Sequence, residues 1–238
     1  MIPRLPLLAL ATVALSALSG AAIAQDRDNA RHEPDRPDWS FEFGAGTDNR
    51  SKGASKSGNA PYAFGEAQWN TAIGFYADVE FDTIDASGSH IETEMEAGWQ
   101  FTALGLGFDA STSYKRRLDA DPGQDAASWE YQFDVLRDFG PADGRLRIEY
   151  TPDSLGSTRA STWVEARLRW PLADRLKASV TLGRREQDDA PDYTGWNAGV
   201  AFALTDTTDL DLRWHGTDAA SEGEQYDDAL VASVLVAF

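Results

Sequence analysis

Six carboxylates stand at every second position of two short stretches. Asp78, Glu80 and Asp82 lie in IGFYADVEFD, and Glu92, Glu94 and Glu96 in IETEMEAGWQF. Four arginines repeat the spacing, Arg145 and Arg147 in one stretch and Arg167 and Arg169 in another. Side chains two positions apart point the same way in an extended strand. Paired strands would therefore gather the carboxylates into an acidic wall and the guanidinium groups into a basic wall. With water between them, such walls orient and select charged solutes. The alternative is that the charges pair with one another and fill the interior.

Other chemistry finds less support. The three histidines are His32, in an Asp-rich leader, His90, in a loop, and His215. His215 shares its parity with Asp209, Asp211 and Arg213, which reads as a hydrogen-bonding role rather than a base. No G-x-S-x-G or H-E-x-x-H occurs. With no cysteine, there is no thiol nucleophile, thiolate metal site or disulfide. Acids cluster at Asp188, Asp189 and Asp192 and again at Glu222, Glu224, Asp227 and Asp228, without EF-hand spacing. They read as solvated loop residues, and no metal or cofactor is expected.

The elements that position these residues are strands. Ile73, Phe75, Ala77, Val79 and Phe81 alternate with the first acidic set, and Ile91, Thr93, Met95, Ala97, Trp99 and Phe101 with the second. Leu146, Ile148 and Tyr150 alternate with the first arginine pair, and Val164, Ala166, Leu168 and Trp170 with the second. From residue 39 onward there is no helical periodicity. Twelve alternating segments follow one another, at about 39–47, 61–70, 73–82, 91–101, 104–115, 128–138, 144–152, 161–170, 175–186, 192–204, 208–216 and 227–238. Connections after odd segments are long, from DNRSKGASKSGNA and TIDASGSH to TDAASEGEQ. Those after even segments are short, such as GPAD, PLAD and TDTT. An even strand count with long and short connections in alternation predicts an all-β, transmembrane antiparallel up-and-down β-barrel of about 12 strands.

The tryptophans agree with this reading. Trp39, Trp69, Trp99 and Trp170 fall at the short-turn side, and Trp129, Trp163, Trp196 and Trp214 at the long-loop side. All but Trp163 share the apolar parity, as two aromatic girdles require. The last ten residues, ALVASVLVAF, carry no charge although the chain's formal net charge is −18. They predict a closing strand facing lipid, with Phe238 as an assembly signal for the barrel-assembly machinery.

Residues 1–24 have an early Arg4, an apolar run and the small-x-small ending Ala22-Ile23-Ala24, the pattern of a cleaved signal peptide. Residues 25–38 are charged and nearly free of apolar groups, a disordered periplasmic leader. The barrel then occupies 39–238. Strong acidity argues against nucleic-acid binding, which needs Lys and Arg at phosphates.

The stretches SKGASKSGNAP, GFYADVEFD, IETEMEAGW, LKASVTLGRR and YTGWNAGVAFAL, in that order over residues 50–238, resemble the TorF-type porin family of Gram-negative outer membranes. Members have an R-G-x-S-like stretch before a Pro, a G-[FY]-Y strand and a late Y-x-x-W-x-x-G segment. Here Lys52-Gly53-Ala54-Ser55 stands where an Arg-Gly pair is usual. The resemblance implies an outer-membrane barrel and brings no substrate or catalytic residue.

Taken together, the expectation is a porin-like channel in the cell outer membrane, not an enzyme. It would pass small hydrophilic or charged solutes with a mild cation preference and would contact outer-membrane lipid and lipopolysaccharide. The alternatives are a non-conducting structural or adhesion barrel and, further off, an outer-membrane hydrolase.

Overall fold

Period-two alternation becomes a ring of twelve strands. The structure, a computed structural model, describes residues 39–156 and 158–238. The proposed signal peptide and leader lie outside the described residues. The barrel strands are β1 (Trp39–Gly46), β4 (Tyr62–Asn70), β5 (Phe75–Ala86), β6 (Ser89–Ala103), β7 (Leu106–Leu118) and β8 (Ala127–Phe139). They continue with β9 (Ala142–Ser154), β10 (Arg159–Ala173), β11 (Leu176–Gln187), β12 (Tyr193–Ala203), β13 (Thr208–Thr217) and β14 (Ala229–Ala237). Each pairs antiparallel with its neighbours, and β1 pairs with β14 to close the ring. Closure leaves no strand edge unpaired, which is what a lipid environment demands. The remaining two strands, β2 (Arg50–Ser51) and β3 (Ala54–Ser55), form a small separate hairpin.

The distribution of side chains is inverted relative to a water-soluble domain. Phe75, Val79, Phe81, Met95, Ile148, Leu182 and Leu212 face outward, Met95 with 62% of its surface exposed. Asp78, Asp82, Glu92, Asp134, Arg145 and Arg167 are buried inside. Apolar surface turned outward is stable against hydrocarbon, and the charges turned inward escape it. Trp39, Trp69, Trp99, Trp129 and Trp214 are exposed on the outer face, whereas Trp163 is 3% exposed inside, as its parity predicts.

The connections depart from the sequence reading in two ways. TIDASGSH is not a long loop. β5 and β6 continue through it and reverse at Ser87–Gly88 alone. Both strands therefore exceed the nine to eleven residues that cross a bilayer, β5 with 12 and β6 with 15. The second departure is DNRSKGASKSGNA, which holds β2 and β3 and folds into the barrel instead of standing out in solvent.

Candidate functional site

The lumen places the predicted charges as their spacing requires. Asp78 pairs in register with Glu96, Glu80 with Glu94 and Asp82 with Glu92, so the six carboxylates do form one patch on β5 and β6. Arg145 lies directly across from Arg167 on β9 and β10. The other two arginines meet acids instead: Arg147 is registered with Glu165 and Arg169 with Asp143.

Neither wall is bare. Arg147 donates from Nε and Nη2 to both oxygens of Asp134, at 2.8 and 2.7 Å. Arg145 Nη2 donates to Glu165 Oε1 at 2.6 Å, and Arg169 Nε to Asp143 Oδ2 at 2.9 Å. On the acidic side, Arg117 reaches Glu92 at 3.1 Å, while Lys115 holds Glu130 at 2.7 Å and Glu94 at 3.5 Å. A planar guanidinium suits such forked contacts with carboxylates. The basic strip continues to β13, where Arg213 grips Asp211 and also donates to Ser179 Oγ at 2.9 Å and Asn197 Oδ1 at 2.7 Å. Between the walls is a cavity of about 270 Å³, lined from both sets and from Thr181, Asn197 and His215.

His215 departs from its expected role. It is 3% exposed and lines the cavity, yet neither ring nitrogen has a hydrogen-bond partner. Phe238 exchanges backbone hydrogen bonds with Phe41, at 2.9 and 3.0 Å, and its ring lies 6.4 Å from that of Phe41 and 6.0 Å from that of Phe43. The last residue thus pairs with the first strand.

The β2–β3 hairpin contributes residues that alternation could not reveal. Lys52 and Gly53 form its two-residue turn, both at positive φ (56° and 90°), the backbone that a tight hairpin turn needs. Lys52 Nζ meets Glu130 of β8 at 3.3 Å and also contacts Glu149 of β9. Lys56 Nζ meets Glu92 of β6 at 2.7 Å and Asp82 of β5 at 3.3 Å. Against β12, a Cβ on Gly195 would sit 2.4 Å from the Lys52 carbonyl oxygen, so only a glycine admits the turn there. Burial draws the Lys52 ammonium down to about 7, with Glu130 opposing and Arg185 and Lys115 assisting. Burial acts on Lys56 in the same direction, but Glu92 and Asp82 outweigh it and its pKa is raised.

A closed twelve-stranded antiparallel barrel with a lipid-type exterior and a charged lumen defines a transmembrane β-barrel of the porin fold. Within that class, the chain belongs to the family described as "Bacterial protein of unknown function (Gcw_chp)", which it matches over residues 33–237. The family carries that name rather than the TorF label suggested by the sequence motifs. No curated protein matches the chain. Among solved structures it is similar to the KdgM porin, at 8% identity and a TM-score of 0.61, with 84% of this chain and 99% of that one covered. It is also similar to the NanC porin, at 8% identity and a TM-score of 0.57, covering 83% and 97%. A third neighbour is the COG4313 outer membrane channel from Pseudomonas putida F1, at 10% identity and a TM-score of 0.52, covering 84% and 94%. These likenesses establish a shared fold.

Proposed function

We propose that this protein is an outer-membrane channel of the porin type, passing small hydrophilic or charged solutes through a narrow lumen. The observation that carries the reading is the cavity of about 270 Å³ between an acidic patch on β5–β6 and a basic strip on β9, β10 and β13. Asp78, Glu80, Asp82, Glu92, Glu94 and Glu96 form one side of the field, and Arg145, Arg147, Arg167 and Arg169 the other. Opposed charges at such range hold a solute's dipole across the path and favour solutes that can meet both walls. The outer face supports residence among outer-membrane lipid and lipopolysaccharide. The apolar last strand ending in Phe238 supports delivery by the barrel-assembly machinery. The bare ring nitrogens of His215 lend no support to the hydrolase alternative.

The test is a planar-bilayer recording of refolded protein in KCl. Discrete current steps are expected. Silence from protein that is β-rich and heat-modifiable would overturn the channel and favour a plugged barrel serving a structural or adhesive role. That second reading draws on the density of ion pairs in the lumen.

A further inference from the structure

The motif SKGASKSGNAP is the one sequence feature that the two walls do not account for. It lies in the β2–β3 hairpin, and its contacts are spread around the ring. The strands that flank it, β1 and β4, have β14 and β5 as their other neighbours. A segment folded over its own rim would touch only those. This hairpin reaches β5–β6 through Lys56, β8–β9 through Lys52 and β12–β13 through Gly53. A Cβ on Gly53 would lie 3.0 Å from Thr217 Cγ2 and 3.1 Å from the Gly216 carbonyl oxygen. Three anchorages so widely separated place the hairpin across the lumen, as one boundary of the cavity.

Its charges are divided between two tasks. Arg50 is spent within the loop region: its Nε donates to Asp48 Oδ2 at 2.5 Å, and its Nη atoms to the carbonyls of Gly53 and Asp227 and to Asn59 Oδ1. Asp48 Oδ1 also accepts from Ser55 Oγ at 2.6 Å and Ser57 Oγ at 2.9 Å. The bonds within residues 48–59 hold the hairpin's shape, and the Asp227 contact ties it to the connection between β13 and β14. The two lysines point outward from it, and each ammonium is shared by two wall carboxylates on adjacent strands.

We propose that the β2–β3 hairpin is the selectivity element of the channel, narrowing the path and masking, through Lys52 and Lys56, carboxylates of β5, β6, β8 and β9 that would otherwise favour cations. The proposal rests on the channel reading above. Glu130, Glu149, Asp82 and Glu92 have close neighbours of their own sign, and an added ammonium lowers the negative potential that a passing ion meets. Without it, the acidic arc draws cations in.

The experiment compares three chains in planar bilayers by single-channel conductance and by reversal potential in a KCl gradient: the natural chain, Lys52→Gln with Lys56→Gln, and a chain with residues 49–59 replaced by a short Gly-Ser tract. β1 and β4 pair as far as Gly46 and Tyr62, so the shortened connection closes without stretching the barrel. Heat-modifiability checks folding of all three, and Lys52→Arg with Lys56→Arg is the charge-preserving control. The double Gln variant should move the reversal potential toward cations, with a several-fold rise in cation over anion permeability. The shortened chain should show the same shift and a several-fold larger conductance, while the Arg control keeps the natural selectivity. Current from the shortened chain alone would make the hairpin a plug and overturn both the channel reading and this proposal. Equal conductance and reversal potential in all chains, or a shift toward anions, would overturn the proposal and leave the channel standing. Silence from every folded chain would overturn the channel reading and this one with it.

Discussion

The inner wall is built in two different ways. Where β1 meets β14 and β4, part of the lumen side is apolar: Tyr62, Phe64, Val231 and Leu235 are buried there, with Glu66 and Gln68 buried further along β4. The rings of Tyr62 and Phe64 stack at 6.0 Å, and a Cβ on Gly44 would strike the Phe64 ring at 2.3 Å. At β8, β9 and β10 the wall is dominated by charge, with Arg147 bonded to Asp134 and Arg145 to Glu165. The ladders differ as well. β1 and β14 share five registered pairs, whereas β9 and β10 share ten. A short ladder needs help from packing, and ring-on-backbone contact supplies it at this seam. A long ladder is held by its own backbone bonds, so its inward side chains are released for electrostatics.

That contrast is open to attack from either side. Phe64→Ala should be the most damaging change. Emptying a packed aromatic site typically costs about 3–5 kcal/mol, and here the loss falls on the shortest ladder. A urea titration of the refolded barrel should show the midpoint falling steeply, with selectivity unaltered. On the opposite wall, Asp134→Asn should do the reverse. Asp134 is 1% exposed, but a lumen admits water, and Arg147 can be hydrated when its partner loses charge. Its stability cost should stay near the size of one charge-assisted hydrogen bond, about 1.5–3 kcal/mol. The reversal potential in a KCl gradient should move toward anions. A large loss of stability with no electrical change would show that the charged wall serves packing as the seam does.

The smallest effect concerns pH. Burial draws the Lys52 ammonium down to about 7, with Arg185 and Lys115 assisting and Glu130 opposing, whereas the Lys56 pKa is raised. As pH rises through about 7, the hairpin should lose positive charge at its β8–β9 end and keep it at its β5–β6 end. Cation preference should therefore grow modestly with pH in the natural chain and stay flat in Lys52→Gln. Equal pH dependence in both chains would assign the titration elsewhere.

Much of the barrel was legible because its signal is local. Period-two alternation of apolar and charged residues identified all twelve strands and the inward Trp163, and it put the six carboxylates on one face of two neighbouring strands; their register came only with the pairing. Strand ends were less legible. TIDASGSH has turn-forming Ser and Gly, yet pairing of β5 with β6 carries the ladder through most of it. The hairpin was illegible for a different reason. DNRSKGASKSGNA is polar and glycine-containing, the composition of a solvated loop. What pulls it inward is Glu130 and Glu149, 78 and 97 positions further along the chain. No pattern within the segment records a partner that distant. The pairing of Arg147 with Asp134 was hidden in the same way, since it depends on which strands meet.

The Asp48 and Arg50 clasp has a thermodynamic corollary. Fixing a residue's backbone costs about 1–2 kcal/mol in lost freedom. Here the two ends of the hairpin region are tied by bonds that lie mainly within residues 48–59. The segment is thus largely preorganised before it meets the far strands, where the two ammonium groups, Gly53 and the Arg50 bond to the Asp227 carbonyl dock it. A piece ordered in this way moves as a rigid body. If its ion pairs release, the current it obstructs would change in steps between fixed levels, with no continuum of partly frayed states.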